Sequence, residues 1–209
     1  MMRHKVISNV LLCIGGLLIL SGAVLYAHNY RESNRAYELG IKQVAGIKEQ
    51  IEERTATESS AVSDEIMQET VPAGEDKPKQ LPVVIIDGYP YCGYLSIPKI
   101  GLEMPVTDGA TAENMHYSLS RYAGDPYQQN MIIAGHNYRA AFLNLRDLEA
   151  GDEIYFTDMD GEVFRYRVLE SIIIPGDAVS AMEEGEWDLT LFTCTYGGAD
   201  RFTVRCAEE

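Results

Sequence analysis

Basic side chains are scarce in this 209-residue sequence. Lys and Arg together number 17 against 32 Asp and Glu, which gives a formal net charge of −15. Nucleic-acid-binding surfaces need clustered positive charge, so this balance argues against a nucleic-acid partner. The acidity is concentrated in the second half, where residues 81–209 hold 8 basic and 21 acidic side chains. Such a surface favours solubility, and it can also attract a cationic amine or a basic peptide segment.

Cysteine is rare as well. The four cysteines are Cys13, Cys92, Cys194 and Cys206, and none forms a C-x-x-C pair or a zinc-type spacing. Cys13 lies in an apolar N-terminal run, where it cannot meet the other three. A Cys92–Cys206 disulfide is conceivable, because an early and a last strand often pair in a closed barrel. The sequence alone does not fix the geometry that such a bridge needs.

Long apolar runs are limited to the N terminus. Residues 1–5 form a short basic head, and the 22 residues of 6–27 contain no charge. At about 1.5 Å per residue they are long enough to cross a hydrocarbon core of ~30 Å. A cleaved signal peptide is the alternative, but its apolar region is usually shorter, and Leu25-Tyr26-Ala27 is a poor cleavage site. We therefore expect a single-pass membrane anchor with its N terminus inside and the rest of the chain outside the cell.

Residues 28–80 predict a stalk followed by a linker. The stretch from Arg31 to Arg54 has apolar residues at helical spacing, but the stripe is narrow. This pattern favours a stalk helix or a weak coiled coil rather than part of a core. Residues 55–80 are rich in Glu, Ser, Thr, Ala and Pro. That composition predicts a disordered acidic spacer, which would hold the following domain away from the membrane.

Residues 81–209 predict one all-β domain, a barrel or a sandwich with short helices. Short apolar runs alternate with Gly, Pro and Asp, as is typical of such folds. Short helices are expected over 111–119, with Thr111 as the cap, and over 142–148. The predicted strands are 83–86, 93–97, 104–106, 131–134, 153–157, 163–174, 189–194 and 202–206.

The segment Asp158–Glu162 resembles half of a calcium-binding loop. It lacks the later bidentate Glu, and Asp160-Gly161 between two strands is a hairpin signal. The pattern therefore favours a turn over a metal site, and we expect no cofactor.

The stretch from Leu189 to Cys206 predicts two strands joined at Gly197-Gly198. The first strand ends on Cys194 and the second opens on Arg201, so both side chains would lie near one end of a sheet. A thiol beside a guanidinium forms the nucleophilic thiolate more easily at neutral pH. The alternative is an inert buried cysteine, since free Cys behaves mostly as a small core residue.

An earlier strand ends on Gly135-His136. Histidine is the side chain best suited to proton transfer near pH 7, and at the mouth of a strand it could face a cysteine from another strand end. His116 lies in the predicted short helix and is interpreted as structural.

Together these motifs resemble the sortase family. Thr190-Leu191-Phe192-Thr193-Cys194 is similar to the motif Thr-Leu-x-Thr-Cys, and His136, Cys194 and Arg201 follow in the sortase order. The segment Leu95–Ile100 is similar to an early strand of that family. The resemblance covers roughly residues 91–207.

The resemblance implies a closed eight-stranded sortase-type β-barrel over residues 81–209, on the surface of a Gram-positive cell. It implies a cysteine transpeptidase, a hydrolase of the thiol protease type. Such an enzyme cuts an LPxTG-like sorting signal and joins the acyl part to an amine of the cell wall or of a pilin lysine.

The resemblance also assigns roles to residues. Cys194 would be the nucleophile, His136 the general acid and base, and Arg201 the stabiliser of the oxyanion or of the bound signal. Thr193 would line the site. Arg205 is four residues from Arg201 on the same strand and face, and it competes for the arginine role.

Other functions remain open at this point. An L,D-transpeptidase also places His before Cys, although its Ser-x-Gly-Cys-x-Arg motif is missing around Cys194. A non-catalytic module that binds the cell wall would carry an inert cysteine. The subclass is open too. No apolar span follows Glu209, which argues against the pilin-polymerising sortases, and the connection from Pro175 to Asp188 is short for the helical insertion typical of class B. These features are compatible with a class D-like or unclassified clostridial-type enzyme, and a class B-related one stays an alternative.

Overall fold

Nine strands form a single sheet that closes on itself in the computed structural model, which describes residues 2–65, 79–116, 118–138 and 140–209. The strand order is β1-β2-β3-β4-β5-β8-β9-β7-β6, and β6 also pairs with β2. Strands β2 to β9 therefore make a closed eight-stranded barrel, and β1 adds a short edge to β2. The strands are β1 (Val84–Ile86), β2 (Tyr89–Ile97), β3 (Leu102–Asp108), β4 (Leu119–Ala123), β5 (Met131–Ala134), β6 (Glu153–Asp158), β7 (Val163–Pro175), β8 (Leu189–Cys194) and β9 (Asp200–Glu208).

Within the described residues, the helical elements are one long helix and five short ones. Helix α1 runs over Met2–Glu65, and α2 is a short helix between β7 and β8 (Val179–Glu183). Four 3₁₀ turns cover Pro98–Ile100, Asn114–His116, Pro126–Gln128 and Leu143–Asp147.

Gly93 allows β2 to pair with both β3 and β6, which closes the sheet. At Gly93 the register with β3 shifts, and the same residue pairs with Asp158 of β6. A Cβ at Gly93 would lie 2.1 Å from the carbonyl oxygen of Thr157, and its φ of +151 lies where side chains are rarely tolerated. The bend that closes the barrel therefore depends on a residue without a side chain.

The barrel prediction is confirmed, and most predicted strands lie where the alternation of apolar residues indicated. Strands β5 and β8 match the predicted bounds, and the turn of 3₁₀ helix after His136 is present. The expected helix over 111–119 is reduced to Asn114–His116, although the Thr111 hydroxyl does accept from the Asn114 N–H at 3.1 Å. The chain turns into β4 at Leu119, a strand that the sequence analysis missed because Ser120 and Arg121 interrupt its apolar pattern.

The barrel interior is filled by aliphatic and aromatic side chains from every long strand. Leu189 and Leu191 of β8 point into this core, so Phe192 and Cys194 lie on the outer side of the barrel. Cys92 and Cys206 are buried free thiols rather than a disulfide. Burial raises the pKa of the Cys92 thiol far above its usual range and that of Cys206 to about 12, so neither thiol is ionised near neutral pH.

Helix α1 begins at Met2, spans the apolar run and continues onto the barrel surface. Its first part holds one stretch that is long and apolar enough to cross a membrane by length and composition, and the side chains there are exposed. Further along, Val44, Ile47 and Ile51 are buried, the last two in a cluster with Tyr91 and Met159. The interpretation of residues 31–54 as a stalk outside any core is therefore wrong. A narrow apolar stripe is enough to dock a helix when its partner is a sheet face.

Close approach and ion pairs fix this docking. A Cβ at Gly40 would lie 2.6 Å from the side chain of Met104 on β3. The absence of a side chain at Gly40 therefore lets α1 approach the sheet closely at this point. Lys48 pairs with Glu103, and Arg54 pairs with Asp160, both at 2.8 Å. Residues 55–65, expected in the spacer, continue α1; residues 66–78 of the spacer lie outside the described residues.

The segment from Asp158 to Glu162 is the β6–β7 turn, as predicted. One oxygen of the buried Asp158 carboxylate accepts from the N–H groups of Asp160 and Glu162, each at 2.9 Å. The other accepts from the Tyr127 hydroxyl at 2.5 Å.

Candidate active site

Three neighbouring strands bring His136, Cys194 and Arg201 to one end of the barrel. Strand β5 is parallel to β8, with Ala134 opposite Phe192, and the Gly135 N–H donates to the Phe192 carbonyl at 3.1 Å. His136 and Cys194 each follow two residues after that pair, so the two chains reach the barrel end together. Strand β9 is antiparallel to β8, with Arg201 directly opposite Cys194.

A surface groove of about 390 Å³ joins these three side chains. The sheet supplies its floor through Ala134, Phe192 and Cys194, and the β7–β8 connection supplies a wall through Pro175, Ala178 and Met182. Tyr122 of β4 also lines it and stands edge-on to Phe192, with ring centroids 5.4 Å apart. Aromatic and aliphatic walls beside a few polar groups are typical of a ligand-binding site.

Gly135 is required by close packing. A Cβ there would lie 2.5 Å from the Phe142 ring and 2.7 Å from the Leu119 side chain. The Phe142 N–H also donates to the His136 carbonyl at 3.0 Å, which anchors the loop to the same aromatic residue. The Gly-His pair therefore lets the chain pass close over the core while the histidine emerges at the groove.

His136 is partly buried and packs on a second ring. Its imidazole stacks on Tyr138 at 5.1 Å between centroids. Partial burial lowers the pKa of His136 below its ordinary value, and the nearby imidazole of His116 lowers it further. Neutral imidazole is therefore favoured near pH 7, which suits a group that must accept a proton.

Arg201 is held by the loop that precedes it. Its Nη1 donates to the carbonyls of Gly198 and Asp200 at 3.0 and 3.2 Å. Gly197 and Gly198 both have positive φ, so the tight turn that aims the arginine depends on them. Across the described residues no carboxylate pairs with Arg201, and its charge stays available to a ligand in the groove.

Arg205 has a different setting. It is buried at 2% exposure, and its guanidinium donates to the carbonyls of Met182 and Ala181 and to the Thr190 hydroxyl. Its guanidinium carbon also lies 5.7 Å from the centre of the Trp187 ring. Arg205 therefore fastens α2 to the barrel beside the groove, and the assignment of Arg205 to substrate binding stays a prediction.

Thr193 and His116 complete the predicted set. Thr193 is buried at 2% exposure, and its hydroxyl has no hydrogen-bond partner within the described part of the chain. The carbonyl of His116 accepts from the Tyr138 hydroxyl at 3.2 Å, so this residue supports the ring on which His136 stacks. The groove walls, namely Tyr122 and the β7–β8 connection, were not predicted, because tertiary folding brings them to the groove. The Pro175-Gly176 pair before that connection was the one available signal.

A protein-family model and two curated proteins that match this chain all carry the same family name. The family model described as the sortase domain matches residues 95–209. Sortase A of Bacillus anthracis is 27% identical over 190 residues, covering 85% of this chain and 83% of that protein. Sortase D of Bacillus subtilis is 28% identical over 107 residues, covering 49% of this chain and 53% of that protein.

Solved structures share the fold. A Sortase D5 transpeptidase of Clostridium perfringens superposes with a TM-score of 0.56 at 20% identity, covering 82% of this chain and 99% of that one. Sortase C of Streptococcus pneumoniae gives a TM-score of 0.57 at 21% identity, covering 80% and 96%.

Proposed function

This chain belongs to the sortase family, and on that premise we propose that it is a membrane-anchored cysteine transpeptidase acting on an LPxTG-like sorting signal. The observation that carries the proposal is the alignment of His136, Cys194 and Arg201 across β5, β8 and β9 at the mouth of one groove. The buried thiols of Cys92 and Cys206 are unsuited to nucleophilic attack, which leaves Cys194 as the barrel thiol that a substrate can reach.

The first half-reaction makes a thioester. The Cys194 thiol gives its proton to His136, and the thiolate attacks the carbonyl carbon between Thr and Gly of the signal. Arg201 stabilises the negative charge that develops on the carbonyl oxygen. The C–N bond breaks, and the imidazolium returns its proton to the departing amine.

The second half-reaction transfers the acyl group. An amine attacks the thioester carbon, the C–S bond breaks, and the proton lost by the amine passes through His136 to the Cys194 sulfur. The products are a new amide and the free thiol, so no cofactor or external oxidant enters the balance. A cell-wall amine or a pilin lysine is the proposed acceptor.

The N-terminal run supports the proposed location. Residues 6–27 are uncharged, and the large apolar side chains of residues 11–27 are exposed, as expected of an anchor. The basic head favours a cytoplasmic N terminus. We place the barrel on the outer face of the membrane, where sorting signals and wall amines meet.

Replacement of the nucleophile tests the proposal. The full chain in detergent micelles is incubated with a quenched fluorescent Leu-Pro-x-Thr-Gly peptide library and an amine. We expect Cys194→Ala to abolish cleavage, because no other accessible barrel thiol can form the acyl-enzyme. Cys13→Ser removes an exposed thiol outside the barrel and is the matched control, with cleavage unchanged. Cleavage that persists in Cys194→Ala would refute the assignment.

A further inference from the structure

A second cavity lies on the other side of His136. It has a volume of about 420 Å³ and is lined by Asn29, Glu32, Ser33 and Ala36 of α1 together with His116, His136 and Tyr138 of the barrel. Among the described residues, His136 is the one that lines both this cavity and the groove of Cys194. We refer to it as the α1 cavity.

The helix presents one continuous face to the α1 cavity. Its four lining residues follow the spacing i, i+3, i+4, i+7, which places them on a single side of an α-helix. Ala36 is buried, and the Ser33 hydroxyl is buried without a hydrogen-bond partner among the described residues. An unsatisfied polar group in the lining of a cavity calls for a partner, and a hydrogen-bonding ligand would supply one.

The single carboxylate of the α1 cavity favours a cationic ligand. Glu32 is the one carboxylate among its described lining residues, and that set contains no arginine or lysine, although Glu32 also lines a neighbouring pocket with Arg31 and Arg35. The other polar groups are the amide of Asn29, the Ser33 hydroxyl and the Tyr138 hydroxyl, all of which can accept a hydrogen bond. A primary ammonium offers three donors to such a ring of acceptors.

We propose that the α1 cavity binds the primary amine acceptor of the second half-reaction, with Glu32 as the residue that recognises its ammonium group. The inference rests on the proposed transpeptidase function and assigns one of its two substrates a separate entrance. The acyl chain occupies the groove of Cys194, so a nucleophile arriving through the α1 cavity meets the thioester without crossing the bound signal.

The proton transfers follow from the position of His136 between the two spaces. The bound ammonium gives one proton to neutral His136, and the resulting amine attacks the thioester carbon as the C–S bond breaks. The imidazolium then protonates the departing Cys194 sulfur. The new amide nitrogen releases its remaining extra proton to solvent, so an ammonium and a thioester become an amide, a thiol and one free proton.

Glu32→Gln tests the proposal, with the full chain in micelles and with diglycine and a lysine peptide as acceptors. We expect the KM for either acceptor to rise about fivefold, as the loss of one exposed charge contact predicts, while the KM for the signal peptide is unchanged. Ala36→Leu, which fills the α1 cavity, should raise the acceptor KM as well. Glu38→Gln is the matched control, since Glu38 is an exposed carboxylate of the same helix that does not line the α1 cavity.

A neutral nucleophile separates the possible outcomes. Hydroxylamine carries no positive charge at pH 7.5, so its reaction with the thioester should be equal in wild type and Glu32→Gln. Unchanged acceptor KM in both Glu32→Gln and Ala36→Leu, with hydroxylamine still resolving the acyl-enzyme, would overturn the α1 cavity as the acceptor site. Absence of any acyl-enzyme in the wild-type chain would instead refute the proposed function itself.

Discussion

His136 is the residue on which both halves of the proposed reaction depend. Its ring lies between two cavities, and its protonation state decides whether it can accept a proton from a thiol or an ammonium. Burial disfavours the imidazolium, and the neighbouring His116 adds repulsion between like charges. The site therefore holds a base that is ready to accept protons at neutral pH.

The pKa of His136 can be measured directly. In an NMR titration of the imidazole protons we expect a value below the ordinary 6.5. His116→Gln removes the like charge, so the pKa of His136 should rise toward 6.5. A value above 6.5 in the wild type would contradict the described burial.

The same shift affects stability. Because the folded pKa lies below the unfolded one, the unfolded chain binds more protons as the pH falls below 6.5. The contribution of His136 to the free energy of unfolding is therefore present above pH 6.5 and is lost as the pH falls toward the folded pKa.

At the scale of elements, strand β9 carries two arginines with separate tasks. Arg201 lines the groove at the loop end, and Arg205 is buried under α2. Each strand position four residues along returns to the same side of the sheet, so the difference comes from what covers that side. The short helix α2 covers Arg205, whereas Arg201 lies beyond it and lines the groove of Cys194.

Substitution of the two arginines should have opposite signatures. Arg205→Ala leaves the carbonyls of Ala181 and Met182 without their donor, and we expect a loss of roughly 2–4 kcal/mol in the free energy of unfolding. Arg201→Ala should leave stability within about 0.5 kcal/mol, as for other partly exposed sites, and should abolish turnover. Urea unfolding and peptide cleavage measure the two effects. Equal destabilisation by both variants would contradict these separate roles.

Periodicity predicted the elements far better than their contacts. The alternation in Leu189–Cys194 was sufficient to predict β8 and to place Cys194 near the end of a strand, whereas its position on the outer side of the barrel came from the structure. Strand β4 was not predicted, because Ser120 and Arg121 interrupt its apolar pattern. Ser120 is nevertheless buried, and its hydroxyl forms a hydrogen bond with the Thr107 hydroxyl at 2.7 Å. The narrow stripe of α1 was assigned to a stalk, since nothing in a helix sequence identifies the surface that receives it.

At the scale of the whole molecule, the packing of α1 on the barrel changes the expected distance from the membrane. Residues 28–80 were predicted to separate the domain from the anchor, whereas Ala36 already packs beside the barrel. At about 1.5 Å per residue, the nine residues from Ala27 to Ala36 span about 14 Å. If residues 6–27 cross the bilayer as proposed, the α1 cavity opens close to its surface.

Loss of the helix contact should affect acceptor use selectively. Ile47→Asp places a charge in the buried cluster with Tyr91 and Met159, so we expect α1 to detach and the acceptor KM to rise, while hydrolysis of the signal peptide continues. Ile41→Asp is the matched control, because Ile41 is 47% exposed on the same helix. Hydrogen exchange over residues 36–51 and over β3 reports the detachment. An unchanged acceptor KM in a detached variant would show that α1 does not shape the acceptor site.

The central claim is that Cys194 carries the acyl group between donor and acceptor. The most direct measurement is intact-mass and peptide-mapping analysis of the full chain, quenched in acid during turnover of an LPxTG-like peptide. We expect one acyl adduct, mapped to Cys194, that disappears when an amine is added. A folded protein that cleaves the peptide with no adduct on Cys194, or with the adduct on another residue, would contradict it.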